Sequence, residues 1–314
     1  MAGITAYEKL LNEIFENYDP DVFPVINPQT KPLTIYVDIA IDRIVQLDEI
    51  EQSLKLNAWV RWSWYDERLR WNETQHKISD IVTKKIWTPD IVLYDDIRTD
   101  ERPMELFMPH IFSDGFVRWH ALVTYIVVCK VNPRYFPFDE QRCPMTFGSW
   151  GYDSRDLALT NITERGDLSQ YTSNGEWDLT DIPIDVKHTY FGPHMYTSIT
   201  FTPEIQRKGA FYMVNLICPC MFMAILATFS FYLPPESKEK ASLAATMFLS
   251  QMVFDIIIVQ YLPSQSEVIP IIGRRKEVLS AVTDICRDKT VCSKECLFLV
   301  HETVLEPLAI YSVS

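Results

Sequence analysis

A chain of 314 residues with 47% hydrophobic residues has room for about two domains and a sizeable core. Its formal net charge of −13 repels phosphate backbones, which excludes nucleic acid as a natural partner and favours cations. No Ser-His-Asp order, metal-ligand spacing or phosphate-cradling loop stands out among 6 histidines and 9 glycines, so no enzyme, cofactor or bound metal is expected.

Residues 5–18 (TAYEKLLNEIFENY) set Leu10, Leu11, Ile14 and Phe15 at helical spacing, and Asp19-Pro20 ends the pattern. One short amphipathic helix is predicted there. No secretory leader is visible at Met1, so the sequence reads as a mature chain with a replaced start. From Leu33 the texture alternates (LTIYVDIAIDRIVQLD), with Leu33, Ile35, Val37, Ile39 and Ile41 on one face of a half-buried strand. Further short runs at 56–65, 91–94, 116–129, 143–150 and 197–202 are separated by Pro, Asn, Asp and Gly turns. Residues 21–206 are therefore predicted to be all-β, an antiparallel β-sandwich of the immunoglobulin-like type.

Seven cysteines are unevenly placed, and Cys129 and Cys143 are alone in the first 200 residues, within CKVNPRYFPFDEQRC. Paired, they would close a small loop and stabilise it by about 3 kcal/mol, in an oxidising compartment. The alternative is two unpaired thiols of an intracellular core. Sequons at Asn72-Glu73-Thr74 and Asn161-Ile162-Thr163 point instead to the secretory route.

At residue 211 the composition shifts to FYMVNLICPCMFMAILATFSFYL, 23 residues without a formal charge and long enough to cross a bilayer as a helix. Pro219 is expected to kink it. After PPESKEK comes a second apolar run, 241–261. Stepping by three or four from Glu239 meets Ser242, Thr246, Leu249, Val253, Ile256 or Ile257, and Gln260 on one stripe. A stripe polar at both ends and apolar between suits a helix lining a water path with a hydrophobic gate. An ordinary span whose hydroxyls bond back to their own carbonyls is the alternative. Asp255 lies off the stripe and requires a polar partner.

The FPFD inside the cysteine pair, WTPDIVLY (87–94), GSWGYD (148–153), NGEWDL (174–179) and EKASLAATMFLS of the second span together resemble the Cys-loop receptors. That family comprises pentameric ligand-gated ion channels of the plasma membrane, and the pattern, running over about residues 5–273, is most similar to the nicotinic acetylcholine receptor branch. The resemblance implies an extracellular domain over 1–206, two transmembrane helices within 207–262 (211–233 and about 239–261, the second lining the pore) and a linker over 263–273. It also implies an aromatic box between subunits that holds a small cationic amine by cation–π contact, each desolvated contact worth around 2 kcal/mol. Tyr94, Trp150, Tyr190 and Tyr196 match the principal face of that box and Trp59 the complementary face, so a homopentamer, or an assembly with related subunits, can carry ligand sites. Trp64 and Trp71 match positions that look structural. Where nicotinic alpha types carry two adjacent cysteines, this chain reads YFGPHMY (190–196), and His194 there suggests pH-dependent binding. Arg61, Arg118 and His120 fall near the opposite face, where positive charge opposes a cationic ligand.

For coupling, the resemblance points to Pro137 and Asp139 of the cysteine loop, Glu49 in the turn at 48–49, Arg207 before the first span as the partner of that turn, and Pro270 in the linker. For permeation it points to a ring of Glu239 at the inner mouth, Ser242 and Thr246 as hydroxyl rings, Leu249 and Val253 as the gate and Gln260 at the far end. A Pro-Ala-Arg pattern is lacking before this helix, which implies cation selectivity. After Ile272-Gly273 the chain departs from the family: residues 274–314 hold no 18-residue apolar run and read as a frame-shifted, spliced or truncated end. The alternative to a conducting subunit is therefore an amine-binding module that does not conduct by itself.

Overall fold

The computed structural model describes residues 5–25, 32–98, 103–229 and 238–261. They form two compact units, one built from residues up to Asp48 with Gln52–Lys130 and Arg142–Ile205, the other from Glu49–Glu51, Val131–Gln141 and the described residues from Gln206 onward. The boundary expected near residue 206 is thus joined by two segments from much earlier in the chain.

The first unit opens with helix α1 (Ala6–Phe15), whose N-cap Thr5 accepts a hydrogen bond from the Glu8 amide at 3.2 Å and whose Leu10 is fully buried. The strands are β1 (Leu33–Asp48), β2 (Ser53–Tyr65), β3 (Asp80–Val82), β4 (Ile91–Leu93), β5 (His110–Phe112), β6 (Phe116–Val128), β7 (Glu140–Arg142), β8 (Met145–Ser149), β9 (Leu157–Asn161), β10 (Trp177–Asp181), β11 (Ile184–Phe191), β12 (His194–Phe201) and β13 (Glu204–Arg207). A one-turn helix α2 (Glu73–His76) lies between β2 and β3, with Asn72 as its cap. Six strands form one sheet in the order β3-β5-β6-β2-β1-β9, and four form another in the order β11-β12-β8-β4. Ile35, Val37, Ile39 and Ile41 of β1 are fully buried, as are Leu54, Leu56, Ala58 and Val60 of β2, and Phe147, Ile199 and Phe201 supply the other sheet's share of the core. Trp64 is fully buried and Trp71 donates its indole N–H to the Ile78 carbonyl at 2.8 Å, so both serve packing.

One pairing departs from the antiparallel expectation: β1 and β9 run parallel, Leu33 beside Leu157 through Val37 beside Asn161. The chain leaves the four-stranded sheet after β8 and re-enters on the edge of the other, and a crossover between sheets permits parallel alignment.

The second unit contains the turn Glu49–Glu51, the loop Val131–Gln141 and the helices. Of the helix expected over 211–233, the described residues to 229 form one unbroken helical run that includes a π turn ahead of Pro219. A short turn α3 (Ala210–Tyr212) passes into a π-helical turn (Met213–Ile217) and then α4 (Cys218–Phe229). Pro219 has no N–H to offer the ladder, and the wider turn just ahead of it absorbs the mismatch, with the Asn215 side chain donating to the Phe211 carbonyl at 2.9 Å. Helix α5 (Lys238–Tyr261) follows. Among the described residues no helix is both long and apolar enough to cross a membrane by itself. Pro270 and the tail at 274–314 lie outside the described residues.

Candidate functional site

The turn after β8 carries the most exposed large aromatic of the first unit. Ser149 Oγ donates to Asp90 Oδ1 at 2.6 Å and the Gly151 amide donates to the other oxygen of Asp90, so one carboxylate braces both sides of Trp150 and leaves its ring 77% exposed. Tyr94, just past β4, donates its hydroxyl to the Ser149 carbonyl at 2.9 Å. Its ring lies over Gly148, where a Cβ would collide with the phenol, so only glycine allows that approach. Burial first, then the neighbouring Asp90 and Tyr196, push the Tyr94 hydroxyl above its ordinary range.

The hairpin of β11 and β12 supplies the remaining aromatics, with Gly192 at φ +61° in its turn. Its register sets Thr189 opposite Tyr196, Tyr190 opposite Met195 and Phe191 opposite His194. Residues directly opposite share a face and neighbours along a strand alternate, so Tyr190 and Tyr196 are on different faces. Phe191 instead shares the Tyr196 face, its ring packing edge-on at 5.9 Å. The structure therefore brings Tyr94 and Tyr196 into one neighbourhood and turns Tyr190 away from Tyr196. The same hairpin is tied to the loop after Trp150: His194 Nδ1 and Asp153 Oδ2 are 2.7 Å apart, and Arg155 bonds to both. The hydrogen bonds from Arg155 and His194 hold the Asp153 carboxyl well below the usual range. Asp90, Asp153, Arg155 and Phe191 are the members of this site that sequence patterns did not single out. The motifs WTPDIVLY and GSWGYD held the first two in plain view without revealing that 59 residues of separation close into one hydrogen bond.

Trp59, Arg61, Arg118 and His120 share the outer face of the six-stranded sheet. Trp59 stands opposite Leu122, Arg61 opposite His120 and Ser63 opposite Arg118, while β1 brings Asp38 beside Arg61. The Arg61 charge expected to oppose a cation is compensated: its guanidinium pairs with Asp38 and Asp167, each at 3.0 Å. Hydrogen bonds from Ser169, then Arg61, keep Asp167 below its usual range. Arg118 differs, lying over the rings of Phe112 at 5.0 Å and Phe116 at 5.9 Å. Partial burial, with Arg118, Arg61 and His110 nearby, lowers His120 to about 4, so it is neutral at pH 7.

Cys129 and Cys143 are joined by a disulfide, which settles the earlier alternative of free thiols. Asn72 is exposed and its side-chain oxygen caps α2, while Asn161 is half-buried and donates its side-chain amide to the Thr163 carbonyl at 2.6 Å.

In the second unit Arg207 is buried and donates to Asp139 at 2.8 Å and to Glu49 at 2.8 Å. Phe136, next to Pro137, stacks edge-on against Tyr212 at 4.9 Å and packs with it and Leu216. Burial pulls the Arg207 pKa down, but Asp139 and Glu49 more than reverse this and raise it above the ordinary arginine range. On α5, Ser242, Thr246, Leu249 and Val253 are all exposed on one stripe, whereas Met247 is buried. Thr246 Oγ1 donates to the Ser242 and Leu243 carbonyls at 3.1 and 2.9 Å, the back-bonding expected of an ordinary helix, so hydroxyl geometry does not by itself single out a pore. The side chains of Glu239, Asp255 and Gln260 lie outside the described residues.

A sandwich with braced, exposed aromatics and a buried arginine under a disulfide-bearing loop is the make of a ligand receptor. Residues 7–209 match the neurotransmitter-gated ion-channel ligand binding domain, and residues 216–274 match the neurotransmitter-gated ion-channel transmembrane region. The chain belongs to the neurotransmitter-gated ion-channel family, plasma-membrane receptors with an extracellular ligand-binding domain rather than enzymes. It is 34% identical over 277 residues to the mouse (Mus musculus) neuronal acetylcholine receptor subunit alpha-6, covering 86% of this chain and 56% of that protein. It is 35% identical over 274 residues to the human (Homo sapiens) subunit alpha-9, covering 85% and 56%, and 35% identical over 273 residues to human alpha-4, covering 85% and 43%. The chain thus spans about half the length of the curated relatives it matches.

Proposed function

We propose that the chain is a subunit of a pentameric, cation-selective channel gated by a small amine, with ligand sites between neighbouring subunits. The observation that carries this reading is the Asp90-braced turn, which holds Trp150 in solvent beside Tyr94. A large ring kept exposed by dedicated hydrogen bonds suits a cation–π site better than it suits packing. Tyr94, Trp150, Tyr196 and Phe191 form the principal side of the site, with Tyr190 at the rim of the capping hairpin. Trp59 belongs to the complementary side. In the helical unit, Leu249 and Val253 act as the apolar gate, Ser242 and Thr246 as hydroxyl rings, and Glu239 and Gln260 as the polar ends. Glu49, Pro137, Asp139, Arg207 and Pro270 carry the coupling, and the domain boundaries follow the 1–206, 207–262 and 263–273 division with a separate tail at 274–314.

A second reading, which the exposed and braced Trp150 supports equally well, is a binding subunit that captures an amine and does not conduct alone. Whole-cell current from cells expressing this chain decides between them. Amine-evoked current that disappears in Trp150→Ala and becomes larger or leaky in Leu249→Ser supports the channel. Surface protein that binds amines through Trp150 without current in either background supports the binding subunit.

A further inference from the structure

The turn that carries Trp150 closes on itself through Ser149, whose hydroxyl donates to Asp90 and accepts from the Tyr152 amide at 2.9 Å. One support of the turn is thus the Asp90 carboxylate and the other is Tyr152, and both lead back to a single aromatic cluster. The Tyr152 ring centroid is 4.9 Å from that of Phe23 and 6.2 Å from that of Trp87, and Phe23 meets Trp87 edge-on at 5.3 Å. Trp87 is buried, lies edge-on to Trp64 at 6.1 Å and begins the WTPD segment that ends in Asp90. Pro89 fixes its own φ and restricts Thr88 before it, so little backbone freedom separates the anchored Trp87 from the carboxylate. Phe23 comes from the segment between α1 and β1, to which sequence patterns give no role. That segment grips Trp87 a second time: the Trp87 amide donates to the Tyr18 hydroxyl at 2.9 Å, and this hydroxyl donates to the fully buried Asp66 at 2.7 Å.

From this placement we propose that Phe23 is a positioning residue of the amine site: packed on Tyr152 and Trp87 at once, it steadies both supports of the Trp150 turn and so sets the orientation of the exposed ring. This rests on the amine site proposed above and adds a residue that acts on it through others. Phe23 is only half-buried, so what it contributes is its two ring contacts rather than depth in the core. Each such aromatic pair has a preferred geometry and a favourable energy beyond simple burial, and one substitution at Phe23 removes two of them. The turn is then free to sample orientations in which the Trp150 face is not presented. Ordering it again on capture of a cation lowers affinity, even though no group that meets the ligand has changed.

The test uses the full chain in detergent, with choline affinity measured by calorimetry and fluorine NMR of the fluorotryptophan-labelled chain, the Trp150 resonance being assigned by its absence in Trp150→Phe. Phe23→Ala should weaken choline about tenfold and broaden the Trp150 resonance while that of the fully buried Trp177 stays sharp. Phe23→Tyr should restore both readouts, and Phe23→Leu, which keeps the bulk and spares the fold, should fall between. Leu54→Ala, a cavity at the opposite end of β2 from Trp64, should lower the melting temperature without either change. A lower melting temperature in Phe23→Ala with choline affinity and the Trp150 resonance as in the parent overturns the positioning role and leaves the amine site standing. An equal loss of choline affinity in Leu54→Ala does the same. A parent chain that binds no choline overturns the amine site, and the Trp150 resonance then decides on Phe23 alone: broadening in Phe23→Ala upholds its hold on the turn, and an unchanged line overturns it.

Discussion

Replacing Arg207 by Gln removes the central cation of a buried cluster and leaves Asp139 without its charge partner. Arg207 is 5% exposed and Asp139 1%, so neither charge is relieved by water. Breaking a buried pair from one side costs about 3–5 kcal/mol. Two features place this case at the lower end. Gln141 keeps its 2.6 Å hydrogen bond to Asp139 Oδ2, and the Glu49 side chain, 19% exposed, can rehydrate. A loss of about 3 kcal/mol is about a hundredfold in an equilibrium constant, and at about 2–4 °C per kcal/mol it lowers the melting temperature by about 6–12 °C. The assay is thermal unfolding of the full chain in detergent, with Arg207→Met/Asp139→Leu as the paired control. In that double variant the buried charges are gone and Gln141 still bonds to the Asn132 carbonyl at 2.9 Å, so most of the loss should return. A shift below about 2 °C for Arg207→Gln, or losses in the double variant that simply add, refutes the account of Arg207 as a buried charge that stabilises through its pairing.

Gly148→Ala places a Cβ into the Tyr94 ring; the displaced phenol should lose its bond to Ser149, lowering stability by about 1–3 kcal/mol in the same melt and weakening amine binding. His120 has a folded pKa of about 4 against about 6.5 unfolded, so the unfolded chain binds the extra proton first. Stability should therefore fall as pH drops from about 6.5 to about 4, and His120→Gln should flatten that segment of a melting-temperature profile. On the capping hairpin, Phe191→Ala should weaken amine affinity about tenfold while Tyr190→Ala costs less, measured by calorimetry with choline; the reverse order would mean that the hairpin register changes when ligand binds.

What was legible in the sequence follows the length over which a pattern can repeat. Strand β1 has 16 residues and β2 and β6 13 each, long enough for period-two alternation to declare itself, and all three were anticipated. Strands β3, β5 and β7 have three residues each, too few to show a period, and exist because neighbours offer them a ladder; β4 is as short but was anticipated from its apolar run, and the eight-residue β11 was missed because it is exposed along nearly its whole length. The π turn before Pro219 was hidden for a related reason: the missing N–H is visible in the sequence, but whether the helix kinks or widens depends on which side chain, here Asn215, is placed to meet a carbonyl.

The aromatic positions of the site were legible as residue types in motifs, and their orientations were not. Between Tyr190 and Tyr196 the face on which each ring sits depends on the number of residues in the turn at Gly192 and Pro193, since one residue more or less reverses every side chain of one strand relative to the other. The residue pattern shows the two tyrosines and cannot show that the turn sets Phe191, not Tyr190, on the Tyr196 face. The two arginines of the sheet face show the same limit in electrostatics. Arg61 and Arg118 look alike in the sequence, yet Arg61 is neutralised by Asp38 from 23 residues away and Asp167 from 106. Arg118 instead rests on the rings of Phe112 and Phe116, so the surroundings of each arginine are set by which strand the fold lays beside which, and not by any motif.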